Sequence, residues 1–159
     1  MAQNPNRDIN ESINEDKSNR EMLVKADHVK VYFKGKDKKS GTVKAVDDVS
    51  FHIMKGETFG VVGESGCGKS TLGRALVRLL KPTEGHIYMG GTDIAGLKGV
   101  DLKKMRRKVQ IIFQDPSACL NPRRTVRQIL MEPFEIHGMK GKMDVEARIM
   151  KLLNLVGLD

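Results

Sequence analysis

The sequence GESGCGKST, from Gly63 to Thr71, is the feature that most limits what this chain can fold into. It follows a short apolar run, Thr58 to Val62, and precedes TLGRALVRLL, in which apolar residues recur at helical spacing. The order predicted is therefore strand, glycine-rich loop and helix. The loop matches G-x-x-x-x-G-K-[ST], a pattern that binds phosphate groups when it lies between a strand and a helix.

Each fixed position of this motif has a physical role in binding phosphate. Glycine lets the backbone approach an anion closely, so that consecutive N–H groups point into one concavity, and the helix beginning near Lys69 adds its partial positive charge. The Lys69 ammonium can neutralise the β and γ phosphates, and the Ser70 hydroxyl can ligate Mg²⁺. The predicted ligands are ATP and Mg²⁺, and the predicted nucleotide-binding residues are Gly63, Glu64, Ser65, Gly66, Cys67, Gly68, Lys69, Ser70 and Thr71.

Cys67 lies just ahead of the predicted helix and beside Lys69. A helix N-terminus and a neighbouring ammonium form an environment that can raise the reactivity of a thiol. The alternative is a small, inert residue that fills the loop. We expect alkylation of Cys67 to be slowed by ATP if the first interpretation holds.

Composition favours a globular, cytosolic protein. The 159 residues are 39% apolar, no stretch approaches the roughly 18 apolar residues of a membrane span, and the N-terminus lacks the apolar segment of a signal peptide. The two cysteines form no CxxC pair, so neither a disulfide framework nor a zinc site is predicted.

The net charge of +8 is concentrated in Lys34–Lys44 and Lys103–Lys108, which lack interleaved aromatic residues. We interpret both runs as solvated surface and predict no nucleic-acid partner.

The rest of the chain shows a polar tail and a series of short periodic segments. Residues 1–21 contain only scattered apolar positions and are expected to form a flexible tail. Period-two and helical spacing predict the elements outside the phosphate loop. The predicted strands are Val29–Phe33, Val49–Met54, residues 86–91 and residues 108–115, and the predicted helices are a short basic one before the last strand, Thr125–His137 and Asp144–Val156.

A second feature with possible chemistry is IIFQDP, from Ile111 to Pro116. An apolar strand that ends in polar residues can present Gln114 or Asp115 to a metal ion beside the phosphates. Asp115 fits the metal-holding acid that follows an apolar strand in many phosphate-loop proteins. The pattern alone also fits a strand that simply ends at Asp-Pro.

Together, GESGCGKST, IIFQDPSACLNPRRTV and KAVDDVSFHIMKGETFGVVGESGCGKSTLGRAL resemble the ATP-binding subunits of ABC transporters, particularly those of oligopeptide and dipeptide importers. The resemblance covers Met22 to Asp159. It implies an α/β phosphate-loop NTPase fold of the ABC ATPase type, with an N-terminal antiparallel β part and the start of a helical subdomain. It also implies two parts of the chain: the tail, 1–21, and an ABC-type nucleotide-binding domain, 22–159, that is incomplete at its C-terminus.

The resemblance assigns roles to individual residues. Gly63 to Thr71 correspond to the Walker A loop, and Gln114 corresponds to the Q-loop glutamine, a catalytic residue that touches Mg²⁺ and the attacking water. Asp115 is then not the Walker B acid. Phe33 corresponds to the A-loop aromatic residue that stacks on adenine; Tyr32 is its rival, and a half-buried strand residue is the plain alternative.

Further along, the stretch with Pro122, Arg123 and Arg124 resembles the surface that meets the membrane subunit. Cys119 stands where the family usually carries a small hydroxyl residue.

The sequence also departs from the family pattern. Nothing in it reads LSGGQ, no apolar run ends in Asp-Glu, and no counterpart of the switch histidine follows. The chain is therefore expected to be the front part of a subunit, which binds ATP without turning it over alone. A nucleotide-binding module without turnover and a small phosphate-loop kinase remain as alternatives.

The function implied by the resemblance is that of the ATP-binding component of an importer, which couples ATP binding and hydrolysis to transport in the intact subunit. The implied partners are the transporter's membrane subunits and a second ATP-binding subunit, homologous or identical. The implied location is the cytoplasmic face of the cell membrane. Peptides, nickel and other small solutes all remain open as the transported substrate.

Overall fold

The structure of the chain is a computed structural model that describes residues 21–35, 41–139, 141 and 143–158. The predicted tail lies outside these residues except for Glu21, whose carbonyl oxygen accepts a hydrogen bond from the Lys55 N–H at 2.9 Å. The elements in chain order are β1 (Met22–Lys34), β2 (Thr42–Met54), α1 (Lys69–Leu76), β3 (Glu84–Met89), β4 (Thr92–Asp93), α2 (Gly99–Arg106), a 3-10 turn (Ser117–Cys119), α3 (Val126–Ile136) and α4 (Val145–Leu155).

These elements fall into two compact units, residues 1–110 and 111–159. The first contains the four strands with α1 and α2, and the second contains the 3-10 turn with α3 and α4. Both lie mostly within the predicted domain 22–159, and the assignment of that range to one domain stays a prediction.

The strands form one antiparallel sheet in the order β2-β1-β3-β4. This agrees with the predicted antiparallel part near the N-terminus. In β1 the buried residues are Ala26, Val29 and Val31, a spacing of three and then two. The register with β2 shifts by one residue between Ala26 and Val29, which keeps both halves of β1 facing the core.

Helix α1 covers this apolar face of the sheet. Leu72 and Ala75, three residues apart and therefore on one side of the helix, join Val31, Val46 and Ile87 in the core. This packing fixes the helix that follows the glycine-rich loop. It ends earlier than its sequence pattern predicts, at Leu76.

Two predicted strands are absent from the described structure. Residues 58–62 and 108–115 contain no strand. A strand requires hydrogen bonds to a neighbour, and among the described residues no segment pairs with either run. Most of their apolar side chains are accordingly exposed, with Val62 at 92% and Ile112 at 89%. Val109 is partly buried against the core, and the Phe59 ring stacks on Phe51 of β2 with 4.9 Å between ring centres.

The second unit agrees with the predicted helical pair. Thr125 begins α3 with a capping box, in which its hydroxyl accepts from the Gln128 N–H and the Gln128 side chain accepts from the Thr125 N–H. Asp144 caps α4 in a similar way through the Ala147 N–H. Arg127 and Glu146 form an ion pair between the two helices.

Among the residues described, no helix has both the length and the apolar character needed to cross a bilayer.

We expect Gly85→Ala to lower the free energy of unfolding by about 3 kcal/mol or more, because an added Cβ meets both strain and a clash. Gly85 has φ of +82°, and its Cβ would lie 2.2 Å from the His28 carbonyl oxygen of β1. Gly91→Ala is the matched control, since Gly91 has φ of +76° and an added Cβ would have no atom of the described residues within 4 Å, so that about 1 kcal/mol of strain is expected there. Urea denaturation followed by circular dichroism measures both; equal losses would contradict the clash.

Candidate nucleotide-binding site

The phosphate loop lies directly against strand β2. Gly68, the residue before α1, has φ of +98°, and a Cβ added to it would lie 2.0 Å from the Ala45 carbonyl oxygen. No L side chain fits this position without moving backbone. Glycine is therefore required at this position of the motif for two reasons. The loop packs closely against the sheet, and an anion must be able to approach the backbone.

The Lys69 side chain folds back across the loop. Its ammonium donates hydrogen bonds to the carbonyl oxygens of Gly63 at 2.7 Å and Glu64 at 2.5 Å, and lies 3.7 Å from the Cys67 sulfur. The positive charge is thus held by the backbone of the loop that runs from Gly63 to Lys69. A charge in this position can attract an anion that enters the loop.

Helix α1 begins at Lys69 with its N-terminus turned to the loop. Its N-cap residue, Gly68, has no side chain that could cap it, and its first turn carries no acidic residue. The first N–H groups of a helix have no partner within the helix, so they can bind an anion. Ser70, in this first turn, is exposed. The structure therefore brings together the predicted loop residues, the lysine and the hydroxyl.

The two aromatic candidates at the end of β1 have different surroundings. Phe33 is 43% exposed and lies opposite Val43 of β2, which is also exposed. Tyr32 is half-buried, and its N–H donates to the Thr83 hydroxyl at 2.9 Å. The Tyr32 ring has the Lys44 ammonium 5.3 Å from its centre. Phe33 therefore has the more accessible ring for stacking on a base.

Asp47 connects Tyr32 with Lys44. Its carboxylate accepts hydrogen bonds from the Tyr32 hydroxyl and, at 3.1 Å, from the Lys44 ammonium. The bond to Asp47 raises the pKa of the Tyr32 hydroxyl, and the bonds from Tyr32 and Lys44 lower the pKa of the Asp47 carboxyl. Sequence reasoning missed this group of three residues. The signal available was the cation and the acid of KAVD, on a strand paired with the one that carries Tyr32.

Gln114 belongs to the second unit, where it is exposed just before the 3-10 turn. Its predicted contact with Mg²⁺ stays a prediction. Asp115 has a local structural role: its carboxylate accepts from the Ala118 N–H at 3.2 Å, and its carbonyl oxygen accepts from the Cys119 thiol at 3.5 Å. That Asp115 is not the Walker B acid stays a prediction.

The predicted contact surface of the second unit is exposed at Pro122, Arg123 and Arg124. Arg124 forms an ion pair with Glu132 at 3.1 Å, and the Arg123 N–H donates to the Asn121 side chain at 3.0 Å. These interactions order the stretch before α3 without burying it.

Comparison with known proteins gives consistent results. A family profile described as ABC transporter matches residues 46–159. The oligopeptide transport ATP-binding protein AppF of Bacillus subtilis (strain 168) is 49% identical over 146 residues, which make up 89% of this chain and 44% of that protein. The oligopeptide transport ATP-binding protein OppF of Escherichia coli (strain K12) is 42% identical over 146 residues, 87% of this chain and 44% of that protein. The chain thus spans less than half the length of these relatives.

Solved structures agree with this result. The ATP-binding cassette MJ0796, in a dimeric post-hydrolysis state bound to ADP and Pi, superposes with a TM-score of 0.69 and 31% identity, over 83% of this chain and 55% of that one. A dimeric structure of MJ0796, described as a bacterial ABC transporter cassette, gives a TM-score of 0.70 and 30% identity. The predicted α/β fold of the ABC ATPase type is confirmed by this likeness.

We expect Mg-ATP to slow the alkylation of Cys67, because phosphates bound in the loop would cover the exposed thiol beside Lys69. Cys119 is the internal control, since it is also exposed but is not among the predicted nucleotide-binding residues. Mass spectrometry after a short exposure to iodoacetamide measures both sites in one sample. Equal labelling of Cys67 with and without nucleotide would count against the assignment.

Proposed function

The chain belongs to the ABC transporter family, and from this premise we propose that it forms the phosphate-binding and base-binding part of a Mg-ATP site. The observation that carries the proposal is the loop from Gly63 to Lys69, seated on β2 and closed by the Lys69 ammonium. The residues fit an anionic ligand, because the N-cap residue Gly68 has no side chain to bind the first N–H groups of α1 and the first turn carries no acidic residue.

In this proposal the loop residues bind and orient the triphosphate. The N–H groups of the loop and of the first turn of α1 donate to the phosphate oxygens, and Lys69 neutralises the β and γ phosphates. The ammonium already has two carbonyl acceptors in the loop, so it is held near the anion rather than extended into solvent. Binding energy here comes mainly from charge-assisted hydrogen bonds.

The Ser70 hydroxyl, in the first turn of α1, would hold the metal ion. For Gln114, in the second unit, we propose separately the role of a glutamine that binds the metal and orients the attacking water, as its resemblance to the Q-loop residue implies. Bound Mg²⁺ would neutralise charge that develops on the phosphates. Oxygen ligands of this kind suit Mg²⁺, which keeps several waters and is held by few protein groups.

Phe33 is the proposed platform for the base. Its ring is exposed at the end of β1, whereas the hydroxyl and one side of the Tyr32 ring are engaged by Asp47 and Lys44. An aromatic ring with a free face can stack on adenine without reading its hydrogen-bonding edge.

For the whole protein we propose the ATP-binding component of an ABC importer, in which ATP binding and hydrolysis drive transport of oligopeptides or dipeptides. Support comes from relatives whose names describe oligopeptide transport ATP-binding proteins. Membrane subunits and a second ATP-binding subunit are the proposed partners, at the cytoplasmic face of the membrane. For the 159 residues themselves, the proposal is nucleotide binding.

Isothermal titration with Mg-ATP tests the central assignment. Lys69→Ala should abolish detectable binding, because it removes the charge that faces the β and γ phosphates. Lys81→Ala, which removes an exposed lysine outside the loop, is the matched control and should leave affinity unchanged. Equal binding by the Lys69→Ala variant and the parent chain would show that the site is wrongly assigned.

The base platform is tested separately by truncating each aromatic residue. Phe33→Ala should weaken ATP binding by roughly 1 to 3 kcal/mol, the range found when an aromatic residue that stacks on a base is removed. Tyr32→Ala should weaken it less, because Lys44 lies over one face of the half-buried Tyr32 ring, whereas the Phe33 ring is exposed. A larger effect of Tyr32→Ala in the same titration would transfer the base platform to Tyr32.

A further inference from the structure

We propose that Asp47 is a positioning residue for the base platform: it fixes Tyr32 and Lys44 on one face of the β1–β2 pair and thereby holds Phe33 on the face that carries the phosphate-loop helix. This inference rests on the proposed function, since it concerns the same nucleotide site. It adds a residue for which the sequence motifs provide no role.

The faces of β1 follow from its alternation. Successive residues of a strand point to opposite faces, and Val31 is buried in the core with Leu72 of α1. Phe33, two residues on, therefore lies on the Val31 face, and Tyr32 lies on the opposite one. A base stacked on Phe33 is thus on the same side of the sheet as α1.

Strand β2 matches this arrangement through a shift in register. Val31 lies opposite Val46, but Tyr32 lies opposite Lys44, so Ala45 is an extra residue in β2. The shift puts Lys44 beside Tyr32 and Val43 beside Phe33. It also coincides with the Ala45 carbonyl against which Gly68 is seated. The base platform therefore lies on the N-terminal side of the extra residue in β2, whereas Val46 on the other side packs in the core with Leu72 of the loop helix.

Asp47 stabilises this register. It lies past the extra residue along β2, and it binds both the Tyr32 hydroxyl and the Lys44 ammonium. A slip of one residue would separate this group and turn every side chain beyond the slip to the other face. The exposed end of the strand pair has few apolar contacts that could set the register, because Phe33 and Val43 are both exposed. A specific polar group is therefore the stronger constraint there.

The test compares Mg-ATP with magnesium tripolyphosphate, which has the phosphates but no base. Asp47→Ala should lower the affinity for Mg-ATP about fivefold, which is less than the loss expected from removal of the Phe33 ring. The affinity for tripolyphosphate should not change. Asp27→Ala, which removes a surface carboxylate ion-paired to Lys25 at 3.2 Å, is the control and should affect neither ligand. Asp47→Asn keeps an acceptor for the Tyr32 hydroxyl and should recover part of the loss.

A double-mutant cycle then separates positioning from a general loss of structure. In a Phe33→Ala background, Asp47→Ala should cost no further ATP affinity, because there is no ring left to position. Unchanged ATP affinity in Asp47→Ala, an equal loss for tripolyphosphate, or an additive loss in the double variant would each overturn the inference. If Asp47→Ala does not fold, Tyr32→Phe replaces it in the same measurements, because this substitution removes only the hydroxyl that binds Asp47. The same outcomes then support or overturn the inference. Failure of the parent chain to bind either ligand would instead refute the proposed function.

Discussion

The close approach of Gly68 to the Ala45 carbonyl oxygen is the contact on which the candidate site depends. It joins the glycine-rich loop to β2 at a distance that only a residue without Cβ can take, since an added Cβ would lie 2.0 Å from that oxygen. Because Leu72 and Ala75 pack α1 on the same sheet, the C-terminal end of the loop is held both by this contact and by the helix that follows it. A phosphate-binding concavity can then exist before any ligand arrives, which lowers the ordering cost of binding.

The same part of β2 serves the two halves of the site. Ala45 supports the loop, Val43 lies beside Phe33, and Lys44 and Asp47 engage Tyr32. Phosphate recognition and base stacking are therefore connected through a few residues of one strand. Lys69 adds the charge, held between two loop carbonyl oxygens. In this arrangement the loop supplies most of the binding free energy, and the sheet orients the nucleotide.

Local patterns predicted the loop and most helices, because glycines, caps and helical spacing act over a few residues. The capping box at Thr125 is an example in which both partners are visible in the sequence. The runs 58–62 and 108–115 were predicted wrongly as strands, since pairing depends on a distant neighbour that local composition does not reveal. The extra residue at Ala45 was equally hidden, and with it the group formed by Tyr32, Lys44 and Asp47.

Amide NMR during titration with Mg-ATP tests the central claim most directly, because it locates the phosphates residue by residue. The account predicts large shifts of the backbone N–H signals of Gly66, Gly68, Lys69 and Ser70, which should disappear in Lys69→Ala. Smaller shifts are expected around Phe33. Saturable shifts confined to other parts of the chain, with the loop signals unmoved, would contradict the account.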